Sequence, residues 1–241
     1  MDPCKRETAR WLKGLLETLS SGPQGMRWVK EARGPAGGGE TILVFPASFN
    51  PPTKAHLYLL EKGRGLVRPQ ETAVVLDHHP MDKDIASTTL DRLLMLLKLF
   101  EGDDALSLAL AKEGLFLAKL RALRRERPGA EVVFLMGWDT LLRLFDPRYY
   151  TDPDAALREL FAEVRVVAAL RGEVCMEDVE QFLKRGEVRP FAGRITVFEV
   201  PEDLRFLSST EVRKRVRQGQ PIEGLVPRVV EEYIRKRGLY R

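Results

Sequence analysis

Ser48-Phe-Asn-Pro-Pro-Thr53-Lys-Ala-His56 gathers two hydroxyls, an amide and an imidazole just after a short apolar run. Pro51-Pro52 forces an extended turn, and Thr53 is a favoured N-cap, so a helix is expected to begin there. His56 then falls at the third helical position, beside unsatisfied backbone N–H groups and the positive end of the helix dipole. That setting suits a phosphate. Near the other end of the chain, Leu207-Ser-Ser-Thr-Glu-Val-Arg213 offers a second such opening. Ser208 and Glu211 have the spacing of a capping box, Thr210 sits in the first turn, and Arg213 projects one turn further along. Either stretch alone is equally an ordinary capped helix. Their joint occurrence after the first and last strands of one sheet carries the reading of two anion sites.

The elements that must hold these residues are legible as alternating patterns. Five apolar runs of strand composition are expected at 41–45, 72–76, 131–136, 164–170 and 195–200. Helical periodicity lies between and after them, at about 53–63, 88–101, 104–126, 153–162, 176–185, 209–217 and 226–237. Strands alternating with helices predict an α/β fold with a doubly wound parallel sheet. In such sheets ligands bind beyond the carboxyl ends of the strands at a switch point. Before this region, Trp11, Leu12, Leu15, Leu16 and Leu19 mark an amphipathic helix over 1–21, stopped by Ser20-Ser21-Gly22-Pro23. Gly34-Pro-Ala-Gly-Gly-Gly39 reads as a joint, which divides the chain into a helical extension (1–38) and a main domain (39–241). The helix must bury its apolar face on its own domain or on a partner, so an oligomer is possible.

Composition excludes several classes. Of 241 residues, 39 are Lys or Arg and 35 are Asp or Glu, leaving a mild formal charge of +4. The hydrophobic fraction of 44% is enough to fill a core, against disorder. Cys4 and Cys175 are the only cysteines, too few for a disulfide scaffold or a structural zinc site. His78-His79 could suggest a metal, but neighbours on an extended segment are expected to point apart. The basic runs Arg121–Arg127 and Arg213–Arg217 have acidic residues interspersed or no interleaved aromatics, and read as solvated helix faces rather than a nucleic-acid surface. No apolar run suits a membrane span and no signal peptide is apparent, so a cytoplasmic address is expected.

Ser48–His56 resembles the first signature of the HxGH nucleotidyltransferases, in the branch where Thr replaces the first His. It is most similar to the nicotinamide and nicotinate mononucleotide adenylyltransferases. Leu207–Arg213 is similar to their ISSTxxR motif. His79-Pro-Met-Asp-Lys83 with Arg92-Leu-Leu-Met95-Leu resembles PPHK…RLxML, and Gly137-Trp-Asp139 matches GxD. Pro147-Arg-Tyr149-Tyr150 stands where an aromatic stacks on the pyridine ring, Arg171 stands at the VxRxG arginine, and Leu225–Tyr240 resembles the C-terminal helix of the bacterial nicotinate enzymes. The resemblance covers about 41–240. Ala47 and Ala55 stand where Gly is usual, and a Cβ there would occupy space near the nucleotide.

The resemblance implies a Rossmann-like fold and transfer of the adenylyl group of ATP to nicotinamide or nicotinate mononucleotide, giving a dinucleotide and pyrophosphate. It implies that His56, Thr53, Lys83 and Arg213 act on the reacting phosphates. ATP would lie against Ala47, Ser48, Phe49, His56, Gly137, Asp139, Ser208, Ser209, Thr210 and Arg213. The mononucleotide would meet Asn50, Lys83, Tyr149, Tyr150 and Arg171. Mg²⁺ would be held mainly by ATP phosphates, without a dedicated carboxylate cluster. Two other readings stay open: a non-catalytic nucleotide-binding regulator, and a nucleotidyltransferase with another phosphorylated acceptor.

Overall fold

A computed structural model describes residues 3–21, 25–32, 40–79 and 86–241. The chain runs α1 (Pro3–Ser21), β1 (Met26–Lys30), β2 (Thr41–Ala47), α2 (Lys54–Val67), β3 (Glu71–His79), α3 (Thr89–Leu99), β4 (Leu106–Glu113), α4 (Phe116–Glu126), β5 (Glu131–Gly137), α5 (Trp138–Leu144), α6 (Pro153–Glu163) and β6 (Val164–Leu170). It continues with α7 (Met176–Leu183), β7 (Ile195–Glu199), α8 (Glu202–Arg205), α9 (Ser209–Arg217) and α10 (Arg228–Arg237). Seven strands form one sheet in the order β1-β4-β3-β2-β5-β6-β7. All neighbours are parallel except β1, which runs antiparallel on the β4 edge. The sheet is the doubly wound α/β sheet expected from the sequence. Its order reverses between β2 and β5, which makes their carboxyl ends the switch point.

Alternation along β2 shows how the sheet is covered on both faces. Ile42 and Val44 point into the layer filled by Leu120, Phe134, Leu141 and Phe161, while Leu43 and Phe45 point into the layer with Leu59, Leu93 and Leu96. Gly63 lets α2 lie close to the sheet, since a Cβ there would come within 3.0 Å of Leu135 Cδ2 and 3.2 Å of Leu43 Cδ2. That contact sets how closely the C-terminal half of α2 packs on the sheet. A third cluster, Met95, Leu207, Val212, Val230, Ile234 and Tyr240, docks α9 and α10 against α3.

Two strands were not anticipated. The helix expected over 104–126 is β4 followed by α4. Leu106, Leu108 and Leu110 alternate with Ser107, Ala109 and Ala111, and all six are buried, so the strand reads as continuous apolar Leu and Ala. Those residues favour helices in isolation; pairing with β3 and β1 overrides the preference. The stretch before residue 40 also holds more than a helix and a joint, because Met26–Lys30 joins the sheet. The expected α1 is present. Leu19 is fully buried in the layer beside α3, with Leu15 and Leu16 half-buried against it, so the chain itself covers this end of the apolar face, while Trp11 stays exposed. The Gly34–Gly39 joint lies outside the described residues. Among the described residues no helix is long and apolar enough to cross a membrane.

Candidate active site

The carboxyl ends of β2, β5 and β6 open into a cleft of about 730 Å³ at the switch point. The chain leaves β2 through Ser48 and Phe49, and Phe49 adopts φ +43°, a left-handed conformation that a side chain other than Gly rarely takes. The surroundings over-determine it. Phe49 is buried edge-on to Phe45, with ring centres 5.5 Å apart, and lies 5.1 Å from the His56 ring. Phe49 therefore backs His56 instead of lining the cleft. Arg92, 0% exposed, ties this turn to the end of β3. It donates from Nη1 to the carbonyls of Ser48 (2.8 Å) and Asp77 (2.9 Å), and from Nη2 to His78 O (3.3 Å) and Thr89 Oγ1 (3.0 Å). Burial pulls its pKa down to about 10, which still leaves it cationic at neutral pH.

Thr53 caps α2 with β-region backbone, and its Oγ1 accepts from His56 N at 3.4 Å. The box is reciprocal, because His56 Nδ1 accepts from Thr53 N–H at 3.1 Å. With Nδ1 committed as acceptor, the proton of a neutral His56 sits on Nε2. Thr53 Oγ1 lies 2.7 Å from the same Nδ1. The helix start and histidine position expected from the sequence are both found. Ala55, however, is fully buried in the cluster with Met95 and Ile234. Its Cβ faces protein, so the expected intrusion on a nucleotide arises only at Ala47, which lines the cleft.

Across the cleft, Ser208 caps α9 by accepting from Glu211 N at 3.2 Å. The capping box expected there is one-sided: the Glu211 carboxylate turns to Arg215 at 2.9 Å. Ser209 Oγ donates to Pro51 O (2.8 Å), and Arg213 donates from Nη1 to Asn50 O (2.8 Å) and from Nη2 to Thr210 Oγ1 (3.2 Å). These bonds fasten α9 to the loop before α2. Asp139, in the first turn of α5 after Gly137, lines the cleft together with Arg171. Arg171 is held by the Leu207 carbonyl; burial lowers its pKa and Asp139 partly restores it. Arg143, Arg205 and the exposed Phe206 also line the cleft, none of them within the motifs read from the sequence. Among the lining residues, Arg143, Arg171, Arg205 and Arg213 face a single carboxylate, Asp139, which favours a polyanion.

Ala47, Ser48 and Arg143 also border a smaller cavity of about 70 Å³ with Tyr149 and Tyr150. Tyr150 donates to Leu144 O (2.7 Å), and burial pushes its hydroxyl up to about 12. Tyr149 packs its ring 5.9 Å from the Arg148 guanidinium. The floor is Asp77, paired at 2.9 Å with Lys119, which is 1% exposed. Gly114, Leu115 and Phe116 bring the start of α4 to the cavity, and no side chain caps that start. Lys83 lies outside the described residues. His78 and His79, the last two residues of β3, do not point apart: their ring centres are 4.1 Å apart. His78 Nδ1 pairs with Thr89 Oγ1 at 2.8 Å, and burial, then the neighbouring His79 and Arg92, lowers the His78 pKa.

A family model described as cytidylyltransferase-like matches residues 44–215. A protein of Thermomicrobium roseum named "Probable nicotinate-nucleotide adenylyltransferase" is 39% identical over 122 residues, 51% of this chain and 51% of that protein, so the match spans about half of each. One of the same name from Halalkalibacterium halodurans is 28% identical over 83% of this chain and 91% of the relative. Among solved structures, the Plasmodium falciparum nicotinic acid mononucleotide adenylyltransferase complexed with NaAD aligns with a TM-score of 0.63 at 20% identity. That alignment covers 83% of this chain and 97% of the other, and at this identity it speaks to the fold.

Proposed function

Because this chain belongs to the cytidylyltransferase-like family, we propose that it transfers the adenylyl group of ATP to nicotinate mononucleotide, releasing pyrophosphate. The observation that carries the proposal is the meeting of two helix N-termini, α2 with His56 and α9 with Arg213, in one arginine-lined cleft at the switch point. An oxygen of the mononucleotide phosphate attacks the α-phosphorus of ATP, and the bond to the β-phosphate bridging oxygen breaks. The nucleophile is already an anion at neutral pH, so positioning and charge stabilisation supply the catalysis. In this reading His56 donates from Nε2 to an α-phosphate oxygen, with Thr53 holding the ring. Arg213, Ser208, Ser209 and Thr210 hold the outer phosphates. Asp139 and Gly137 meet the ATP ribose, with Ser48 and Ala47 beside it.

Lys83, on the segment following β3, would add a cation to the mononucleotide phosphate. The pyridine ring would enter the smaller cavity beside Tyr149 and Tyr150. The uncapped start of α4 and Arg143 favour a carboxylate there over a carboxamide. Asp139 is the one carboxylate among the residues lining the cleft, so Mg²⁺ fits best as a companion of the ATP phosphates, lowering their charge. The test is pyrophosphate release from ATP with a panel of phosphorylated acceptors. Release with nicotinate mononucleotide well above all others is expected, and release with none of the pyridine mononucleotides sinks the proposal.

A further inference from the structure

Helix α8 and the turn after it place an aromatic ring at the β6 side of the cleft. Phe206 is 60% exposed, the most exposed large apolar side chain among the described residues. Its neighbours in the chain are held firmly. Leu204 packs against the layer with Leu59 and Leu93, and Leu207 is buried beside Val212. Hydrogen bonds bracket the same stretch. Gly172 N–H donates to Arg205 O at 3.1 Å, the Arg205 guanidinium donates to the carbonyls of Gly172 and Val174, and Arg171 donates to Leu207 O. The backbone on both sides of Phe206 is thus fixed, while its ring joins none of the three buried clusters and borders the cleft. A rigid mount for an unburied ring adds nothing to the core; it presents a preorganised flat apolar face.

Strand order supplies a neighbour for that face. The carboxyl ends of β2, β5 and β6 stand side by side. His56 follows β2 with Arg213 across from it, Asp139 follows β5, and Gly172 follows β6. A nucleoside triphosphate with its phosphates at His56 and Arg213 and its ribose at Asp139 carries its base onward to β6, where Phe206 stands. Phe206 is also the one large apolar side chain among the residues lining the cleft. A polyphosphate has no use for it; a base does. The smaller cavity beside Tyr149 and Tyr150 does not include it, so the ring stands apart from the pyridine site proposed above. We propose that Phe206 is the stacking face for the base of the nucleoside triphosphate and sets a preference for purine over pyrimidine triphosphates. This deepens the adenylyl-transfer reading and rests on it. A two-ring base covers more of a phenyl face than a one-ring base does, so the gain from stacking is larger for ATP than for CTP.

The experiment compares the full chain with Phe206→Leu, which keeps apolar bulk but removes the ring, and Phe206→Trp, which enlarges the ring. Steady-state kinetics vary both substrates, with ATP and then CTP as donor, and calorimetric titrations use ATP and inorganic triphosphate. Phe206→Leu should raise the KM for ATP about tenfold, the scale of one base–aromatic stack. Its kcat and its KM for the mononucleotide should move less than about twofold, because the base is held equally in ground and transition states. The kcat/KM preference for ATP over CTP should shrink at least about threefold, and Phe206→Trp should bind ATP at least as tightly as the unsubstituted chain. Inorganic triphosphate, which has no base, should bind all three alike. An unchanged KM for ATP in Phe206→Leu overturns the proposal, as does a rise confined to the mononucleotide or an equal loss for ATP and inorganic triphosphate. If Phe206→Leu does not fold, weaker ATP binding by Phe206→Trp rejects the stack. Should the unsubstituted chain release no pyrophosphate with any acceptor, the functional reading fails; the ATP titration then still reads the stack, and equal affinity for chain and Phe206→Leu rejects it.

Discussion

Helices α2 and α9 both turn an N-terminus toward the cleft, yet they are assembled differently. At α2 the cap and the candidate donor are one device: Thr53 receives His56 N, and the His56 ring receives Thr53 N–H. At α9 they are separate. Ser208 caps the helix, Glu211 leaves the box to pair with Arg215, and Arg213 reaches across to Asn50 O. A ring held by its own cap is preorganised with a fixed tautomer, which suits charge that develops during reaction. A guanidinium spread over a carbonyl and a hydroxyl suits charge already present on a bound polyphosphate. The two openings are thus expected to divide the work between transition state and ground state, and substitutions at each should separate kcat from KM.

The largest effect is expected at His56. His56→Ala should lower kcat by about a hundredfold or more, near 2.7 kcal/mol, with a small change in ATP affinity. Turnover close to that of the unsubstituted chain would remove His56 from the chemistry and dissolve the contrast. Arg213→Ala comes next. Its KM for ATP should rise roughly tenfold, as for one charge-assisted contact made in the bound state. An unchanged KM would assign the polyphosphate to the α9 amides alone.

Thr53→Val tests the coupling on the α2 side. Valine keeps the shape but removes the oxygen that accepts from His56 N, so stability should fall by about 1 kcal/mol. The ring loses a neighbour 2.7 Å from Nδ1 as well, so kcat should fall about tenfold. Loss of stability with full kcat would show that the cap and the donor are separable at α2 too.

What was legible beforehand follows the range of the interactions. The α2 opening was readable because its parts lie three residues apart and need only local geometry: Thr53, the extended Pro51-Pro52 turn and His56. The α9 start was readable for the same reason, but not the desertion of its box, since Arg215 competes for Glu211 on the helix surface. Strand β4 was hidden because Leu and Ala carry helix preference while pairing with β3 is remote in sequence. Buried Arg92 and Lys119 were invisible as structural parts, since a cation becomes worth burying only when carbonyls such as Ser48 O or a carboxylate such as Asp77 close around it. Arg143, Arg205 and Phe206 reach the cleft from α5 and α8, where no local pattern marks them.

Ser208→Ala is the smallest expected change and the cleanest complement to Thr53→Val. Ser208 accepts one bond, from Glu211 N at 3.2 Å, and loss of such a cap costs about 1 kcal/mol. In a chain of 241 residues that corresponds to a Tm lower by about 2–4 °C. Arg213 keeps its bond to Asn50 O, and Ser209 keeps its bond to Pro51 O, so the rest of α9 stays fastened to the loop before α2. Calorimetry and kinetics on one preparation should therefore give a lower Tm with kcat unchanged, and a KM for ATP raised less than about threefold. A fall in kcat comparable to that of Thr53→Val would mean that the α9 opening also acts on the transition state. The two helix starts would then be equivalent halves of one clamp, and the asymmetry of their caps would have no catalytic meaning.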